Sequence, residues 1–481
     1  MTAITVENRL DLDDPKRAYA VLICDLLGLR FGKDGRPDIS EIRAHIEAKG
    51  GVFHDCPITG IAELTKGLIH FFYQPHLSTR DELIEAAGNG RYDAVIAAAT
   101  FLPAETVFPL GGVRIGAGTG NMGSASWGGG SGEGGGAPLM NTPGINSRAT
   151  AQMVMKAILK VLPDLPVDKL HALVAAGDFD TGKDLQNFPT EKLEGKTIAV
   201  IGYGNIGREV AKLAHAFGMK VVIYARSRHR VRIEGEGFAY ADTPGAAASG
   251  AHVLTVHVGL GNLNSDTKKF ANAGLINSDV LDVMCDGSVV INYDRGEVLD
   301  ITSLRRALAS GKVRHAAIDA DLFKNDETSE LSGPMLPYLQ LARNFPGQLE
   351  LLPHAAADTD HVSRVAGAKQ AVDQIVDVIR RKVVVNLRGT LPEGYKNGGA
   401  IVPTGIGSIT PRRVLALFSQ AGMVEELAEL SELNARLWLQ AIKVPTKERQ
   451  AFVDLQGKQL ISLLNKLCLF AEENSLRGYY E

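Results

Sequence analysis

The stretch "KTIAVIGYGNIGREVAKLAHAFGMKVVIYAR", residues 196–226, constrains the fold more than any other. It reads as an apolar strand, a glycine turn, an amphipathic helix and a second apolar strand in about thirty residues, the unit from which parallel, doubly wound sheets are built. Gly202 permits the tight bend, Gly204 lets the backbone approach a pyrophosphate, and Gly207 lets the helix lie close to the strand. Tyr203, Asn205 and Ile206 complete the turn, and the helix that starts there presents free amides and the positive end of its dipole. A purely structural glycine turn is the alternative reading, but the full strand, turn, helix and strand order favours a dinucleotide.

The second strand of such a unit normally ends in an acid that holds the ribose hydroxyls. Here Ala225 occupies that place, followed by Arg226, Ser227, Arg228, His229 and Arg230. Without the acid a 2'-phosphate is not repelled, and Arg226 offers it a planar donor fork. The expectation is NADP(H) in preference to NAD(H), with Arg226 and Ser227 as the contacts and Arg228 or Arg230 assisting; the bland alternative is a solvated charged face.

At 481 residues the chain exceeds what one core sustains, so several domains are expected. A net charge of -4 gives no basic footprint for nucleic acid. The four cysteines are too scattered for a disulfide framework or a metal site, and the acidic N-terminal segment lacks an apolar signal core. No apolar run is long enough to span a membrane, so a cytoplasmic protein is expected. "RAYAVLICDLLGL", "YDAVIAAAT" and "GVRIGAG" read as strands alternating with helices at "DISEIRAHIEAKG" and "STRDELIEAAGNG". Residues 120–137, "GNMGSASWGGGSGEGGGA", read as a mobile loop, with a plain linker as the alternative. Ser147 is the expected N-cap of a long connecting helix, and a second long helix follows at "HVSRVAGAKQAVDQIVDVIRRKV". Thr410 with Pro411 is expected to cap a helical tail, on which Phe452, Leu455, Leu463, Leu464, Leu467 and Phe470 recur at helical spacing.

"VVINYDRGEVLDITSLRRALASGKVRHAAIDADLF", "LELLPHAAADTD", "NTPGIN" and "RIGAGTGN" together resemble the D-isomer-specific 2-hydroxyacid dehydrogenase family over about residues 90 to 388. The resemblance implies a bilobed α/β fold with a Rossmann-type nucleotide domain inserted in a flavodoxin-like substrate domain, here with a helical C-terminal extension. The expected boundaries are 1–146 for the first part of the substrate domain, 147–353 for the nucleotide domain, 354–389 for the returning helix, and 390–481 for linker and extension. The implied reaction is hydride transfer between nicotinamide and a 2-keto or 2-hydroxy acid. Such a reduction needs a cation that grips the carboxylate and polarises the carbonyl, and a proton donor for the nascent alkoxide. Arg295 and His354 fit these roles, and the resemblance assigns Asp319 to the nicotinamide amide and the backbone near Val258 to the same cofactor. Thr100, Gly116 and Ala117 fall in the substrate-binding segments. "AAAT", residues 97–100, lacks the arginine of phosphoglycerate-oxidising relatives, which disfavours 3-phosphoglycerate.

One position departs from the family pattern. The glutamate that orients the histidine is replaced by Lys324; Asp321, Asp326 or Glu327 takes its place if the loop is rebuilt, or Lys324 itself faces the histidine and lowers its pKa. A homodimer is the expected assembly. The rival functions are a dinucleotide-sensing binding protein with little turnover and a different chemistry that uses bound dinucleotide.

Overall fold

In a computed structural model of the protein, the described residues are 3–5, 17–162, 166–264, 268–325, 328–354 and 360–400, with further stretches between 419 and 466. They divide into two compact units, Met1–Gly399 and Ala400–Glu481.

The first unit contains two lobes, each built on a seven-stranded sheet. In the substrate lobe the strands are β1 (Tyr19–Ile23), β2 (Gly51–His54), β3 (Ile69–Tyr73), β4 (Ala94–Ala97), β5 (Gly112–Arg114) and β6 (Leu139–Asn141). They lie parallel in the order β2-β3-β1-β4-β5-β6, and a short antiparallel strand, Leu387–Arg388, closes the β6 edge. In the nucleotide lobe the strands are β7 (Thr197–Ile201), β8 (Lys220–Tyr224), β9 (Ala239–Ala241), β10 (Val253–Val256), β11 (Ser288–Asn292), β12 (Val313–Ala320) and β13 (Leu349–Pro353). All run parallel in the order β9-β8-β7-β10-β11-β12-β13. Every residue of β4, β10 and β11 is buried, as uninterrupted apolar strands covered on both faces must be. The strand order reverses between β7 and β10, which opens a crevice at their carboxyl ends.

Two helices link the lobes. The first, Ser147–Val161, begins after Asn146, so the cap lies one residue before the expected Ser147 and makes no side-chain hydrogen bond. The second, His361–Arg381, is capped by Asp360, which accepts from the Ser363 amide at 2.7 Å. Its apolar face, with Val365, Ala368, Val372, Ile375 and Ile379, joins the substrate-lobe core and carries the chain back there. Unit one then runs to Gly399, beyond the linker start expected at 390, because Val383–Val384 pairs with Lys396–Asn397.

The glycine tract contradicts its expected role as a mobile loop. Trp127 is fully buried, stacks on Phe108 with ring centroids 5.9 Å apart, and donates its indole N–H to the Met122 carbonyl at 2.9 Å. It belongs to the core of the substrate lobe and closes over nothing. Glycine is required here by proximity: Gly132 sits at φ +74°, and a Cβ on it would lie 2.2 Å from the Arg388 carbonyl oxygen. In the second unit a helix spans Val424–Ala441. Leu463 is buried and Leu455 exposed, while Thr410, Pro411, Leu464, Leu467 and Phe470 lie outside the described residues.

Candidate active site

Three glycines shape a cradle at the end of β7. A Cβ on Gly202, at φ +107°, would lie 2.3 Å from the His257 carbonyl oxygen and 2.7 Å from Val258 Cγ1. One on Gly207 would lie 2.1 Å from the Gly202 carbonyl oxygen, so the helix Asn205–Ala216 packs directly on the turn. Gly204 alone faces open space, with nothing within 4 Å of where its Cβ would be. The turn therefore fits a pyrophosphate: two glycines serve the protein's own packing, and the third leaves room beside first-turn amides that no side chain caps. Asn205 and Ile206 form that first turn. The Tyr203 side chain points elsewhere. Its hydroxyl donates to Glu236 at 2.5 Å, and Glu236 also accepts from Arg208 Nε at 2.9 Å. Burial and the Glu236 charge hold the phenol above its ordinary pKa, so Tyr203 gives the turn only its backbone.

At the end of β8, Ala225 is buried while Arg226 and Ser227 are exposed. The structure ranks the arginines that follow. Arg230 pairs with Glu234 at 2.9 Å, Arg232 with Glu236 at 3.4 Å, and Arg228 Nε contacts His229 at 3.3 Å. The Arg226 guanidinium makes no hydrogen bond or ion pair among the described residues.

The chemical groups gather at the carboxyl ends of β11, β12 and β13. Asn292, wholly buried at the end of β11, donates through Nδ2 to the Arg295 carbonyl at 2.9 Å, and the Tyr338 hydroxyl donates to the Gly296 carbonyl at 2.6 Å. These two bonds fix the backbone that follows the Arg295 side chain. Its Nη1 lies 3.5 Å from Asp321 Oδ2, and its Nη2 is 3.6 Å from the Cβ position of Gly118, on the loop of the opposite lobe. Arg295 thus faces the substrate lobe.

The register of β12 on β13 pairs Asp319 with Leu352 and Ala320 with Pro353, which brings His354 beside Asp319. His354 Nδ1 lies 3.1 Å from Asp319 Oδ1, and the His354 amide donates to the Ala320 carbonyl at 3.1 Å. Burial pulls the imidazole pKa down, but the hydrogen bond and charge of Asp319 outweigh it and leave the pKa raised. Asp319, which the resemblance gives to the nicotinamide amide, is therefore the carboxylate against the histidine. Lys324 is exposed on a short strand paired with Leu331, and Asp321 salt-bridges Arg295. Asp326 and Glu327 lie outside the described residues. Asp294 was not singled out in the sequence. Burial raises its carboxyl to about 6, against the opposing charges of Arg295 and His354.

On the substrate side, Asp25 Oδ2 accepts from the amides of Ala98, Ala99 and Thr100 at 3.0, 2.7 and 2.8 Å, and the Thr100 hydroxyl donates to the Cys24 carbonyl at 3.0 Å. The Gly116 amide donates to Thr142 Oγ1 at 2.8 Å, and the Ala117 carbonyl accepts from Asn141 Nδ2 at 2.6 Å. A cavity of about 230 Å³ opens between these segments and His354. Of the four expected substrate residues, Thr100, Gly116, Ala117 and Arg295, only Gly116 lines it; Arg114 and Arg364, which the sequence reading passed over, line it as well. One available signal was that Arg114, like Arg295, stands at the carboxyl end of an apolar strand.

Residues 165–335 match the family described as D-isomer specific 2-hydroxyacid dehydrogenase, NAD binding domain. The chain is 27% identical over 278 residues to a D-3-phosphoglycerate dehydrogenase of Methanocaldococcus jannaschii, covering 58% of this chain and 46% of that protein. It is 30% identical over 204 residues to a glyoxylate reductase of Thermococcus litoralis, covering 41% and 58%. The match to a D-lactate dehydrogenase of Lactiplantibacillus plantarum is 31% over 181 residues, 38% of this chain and 50% of that protein. The chain thus spans about half the length of the curated relatives it matches. Among solved structures it shares its fold with a D-lactate dehydrogenase from Sporolactobacillus sp. (TM-score 0.53, 18% identity, 78% of this chain and 99% of that one). A glyoxylate reductase from Paecilomyes thermophila is similar (TM-score 0.51, 22% identity, 77% and 98%). Among the described residues no helix is long and apolar enough to cross a membrane. The parallel nucleotide sheet, its glycine turn and the family match together make residues 165–335 similar to the NAD-binding domain of the D-isomer-specific 2-hydroxyacid dehydrogenases.

Proposed function

We propose that the protein interconverts a 2-keto acid and a 2-hydroxy acid, with Arg295 holding the substrate carboxylate and carbonyl and His354 moving the proton. The observation that carries this is the Asp319–His354 pair at 3.1 Å, on the strand ends that also carry Arg295. A nicotinamide dinucleotide in the glycine cradle supplies or accepts the hydride. Arg295 forks onto the carboxylate and draws electron density from the adjacent carbonyl, which lowers the barrier most as the oxygen gains charge. Protonated His354 gives its Nε2 proton to that oxygen, while Asp319 on Nδ1 fixes the ring and stabilises its charge. In the oxidation direction neutral His354 takes the proton back. Asp319 also supplies the carboxylate partner that simple counting places at Lys324, so the rival reading of a sensor with little turnover loses its main support.

NADP(H) is the preferred cofactor in this reading, supported by Ala225 in place of an acid and by Arg226, whose guanidinium is engaged by no described group. A homodimer belongs to this reading, supported by an apolar surface patch that includes Leu159 and Phe217, 43% and 44% exposed. Nicotinamide absorbance with a panel of 2-keto acids tests the reaction, and titration with both cofactors tests the preference. Arg226→Ala should weaken NADPH by roughly 1.5–3 kcal/mol, the worth of a charge-assisted hydrogen bond, and leave NADH nearly unchanged. Arg295→Ala and His354→Ala should abolish most turnover while cofactor binding survives. Near-normal turnover in either variant, or equal affinity for NADH, removes the corresponding assignment.

A further inference from the structure

Two arginines beyond the one assigned to the reaction line the cavity beside His354. Arg114 enters it from the end of β5 and Arg364 from the first turn of helix His361–Arg381, so two separate elements direct guanidinium groups to one place. Arg114 Nε donates to the Ala98 carbonyl at 3.0 Å, which orients its fork. The backbone opposite makes room for that fork: Gly116 lies at φ +118°, and a Cβ there would be 1.8 Å from Arg114 Nη1. The side chain of Arg364 is only 14% exposed; its Nη1 donates to the Leu26 carbonyl at 3.2 Å and lies 3.7 Å from Asp25 Oδ1. That acid offers partial compensation, because its two oxygens also accept from the amides of Leu26, Ala98, Ala99 and Thr100. No Asp or Glu lines the cavity among the described residues. A buried cation paired so incompletely is costly unless an anion arrives.

We infer that the substrate carries a second anionic group, remote from the reacting carbonyl, and that Arg114 and Arg364 hold it. This rests on the 2-keto acid reading above. Arg295, on the other lobe, takes the carboxylate next to the reacting carbon, and the cavity arginines take the far end. At about 230 Å³ the space lies below the roughly 300–1,000 Å³ of drug-sized ligand sites, so a short chain is required.

The test compares kcat/KM for two charged-ended acids, oxaloacetate and 2-oxoglutarate, with that for 2-oxobutyrate and 2-oxovalerate, monocarboxylates of matching length with an uncharged far end (here the uncharged acids), and adds a phosphate-terminated three-carbon 2-keto acid. The wild-type protein should favour the charged acids by at least roughly ten- to hundred-fold, the worth of one or two charge-assisted hydrogen bonds. Whether a carboxylate or the phosphate is preferred identifies the anion. Arg364→Gln and Arg114→Gln should remove that preference through KM while changing turnover of the uncharged acids less than about threefold, and Arg114→Lys should restore part of it. Uncharged acids used as well as charged ones by the wild-type protein overturn the inference and leave the proposed reaction standing. No turnover of any 2-keto acid overturns the proposed reaction itself. The wild-type comparison is decisive even if a variant misfolds.

Discussion

The imidazole of His354 sits between opposing influences, burial that disfavours its charge and the Asp319 carboxylate 3.1 Å away that favours it, and the second prevails. A raised pKa keeps the ring protonated to higher pH than an ordinary histidine. Reduction, which consumes that proton, should therefore fall away only above the usual imidazole range, and oxidation should rise over the same interval. In Asp319→Asn burial and Arg295 remain while the carboxylate is lost, so both limbs should move to lower pH; limbs that stay in place in kcat/KM profiles would detach Asp319 from His354. Asp294 has the opposite character for an acid. Its folded-state pKa of about 6 exceeds the ordinary aspartate value of 3.8, so the folded state holds the proton more tightly and stability falls as pH rises between those values. Asp294→Asn should raise Tm at pH 8 and bring no gain below pH 3.8. An equal shift at both pH values in thermal scans would assign the effect to packing.

At the scale of elements, the glycine tract exposes the limit of composition as a guide. Absence of a Cβ frees an unfolded backbone, and it equally allows folded backbones to touch, as Gly132 does at the Arg388 carbonyl. The two uses look alike in a sequence. Trp127→Ala should cost about 3–5 kcal/mol, as aromatic truncations in cores do, and hydrogen exchange in residues 120–137 should be slow with or without ligand. Fast exchange that slows only with substrate would restore the mobile-loop view. The nucleotide unit was legible because its strand, turn and helix are local, with each glycine's purpose set within a few residues. The partnership of Asp319 with His354 was not, since it depends on the register of β12 against β13. Nor was that of Arg114 with Arg364, which converge only when the second connecting helix returns to the first sheet.

Across the whole molecule, every described group of the site lies within Met1–Gly399, where each lobe has its own buried clusters. A chain ending at Gly399 should therefore bind dinucleotide with the affinity of the full protein, as titration calorimetry would measure; a loss of more than about tenfold would make residues 400–481 part of the binding fold. The burial of Trp127 has an optical consequence. The chain has two tryptophans, Trp127 in the first unit and Trp438 in the second. An indole sealed from water emits toward the blue and is shielded from aqueous quenchers such as iodide. In Trp438→Phe all tryptophan emission comes from the core of the substrate lobe, and its red shift in denaturant records the melting of that lobe while the second unit stays dark.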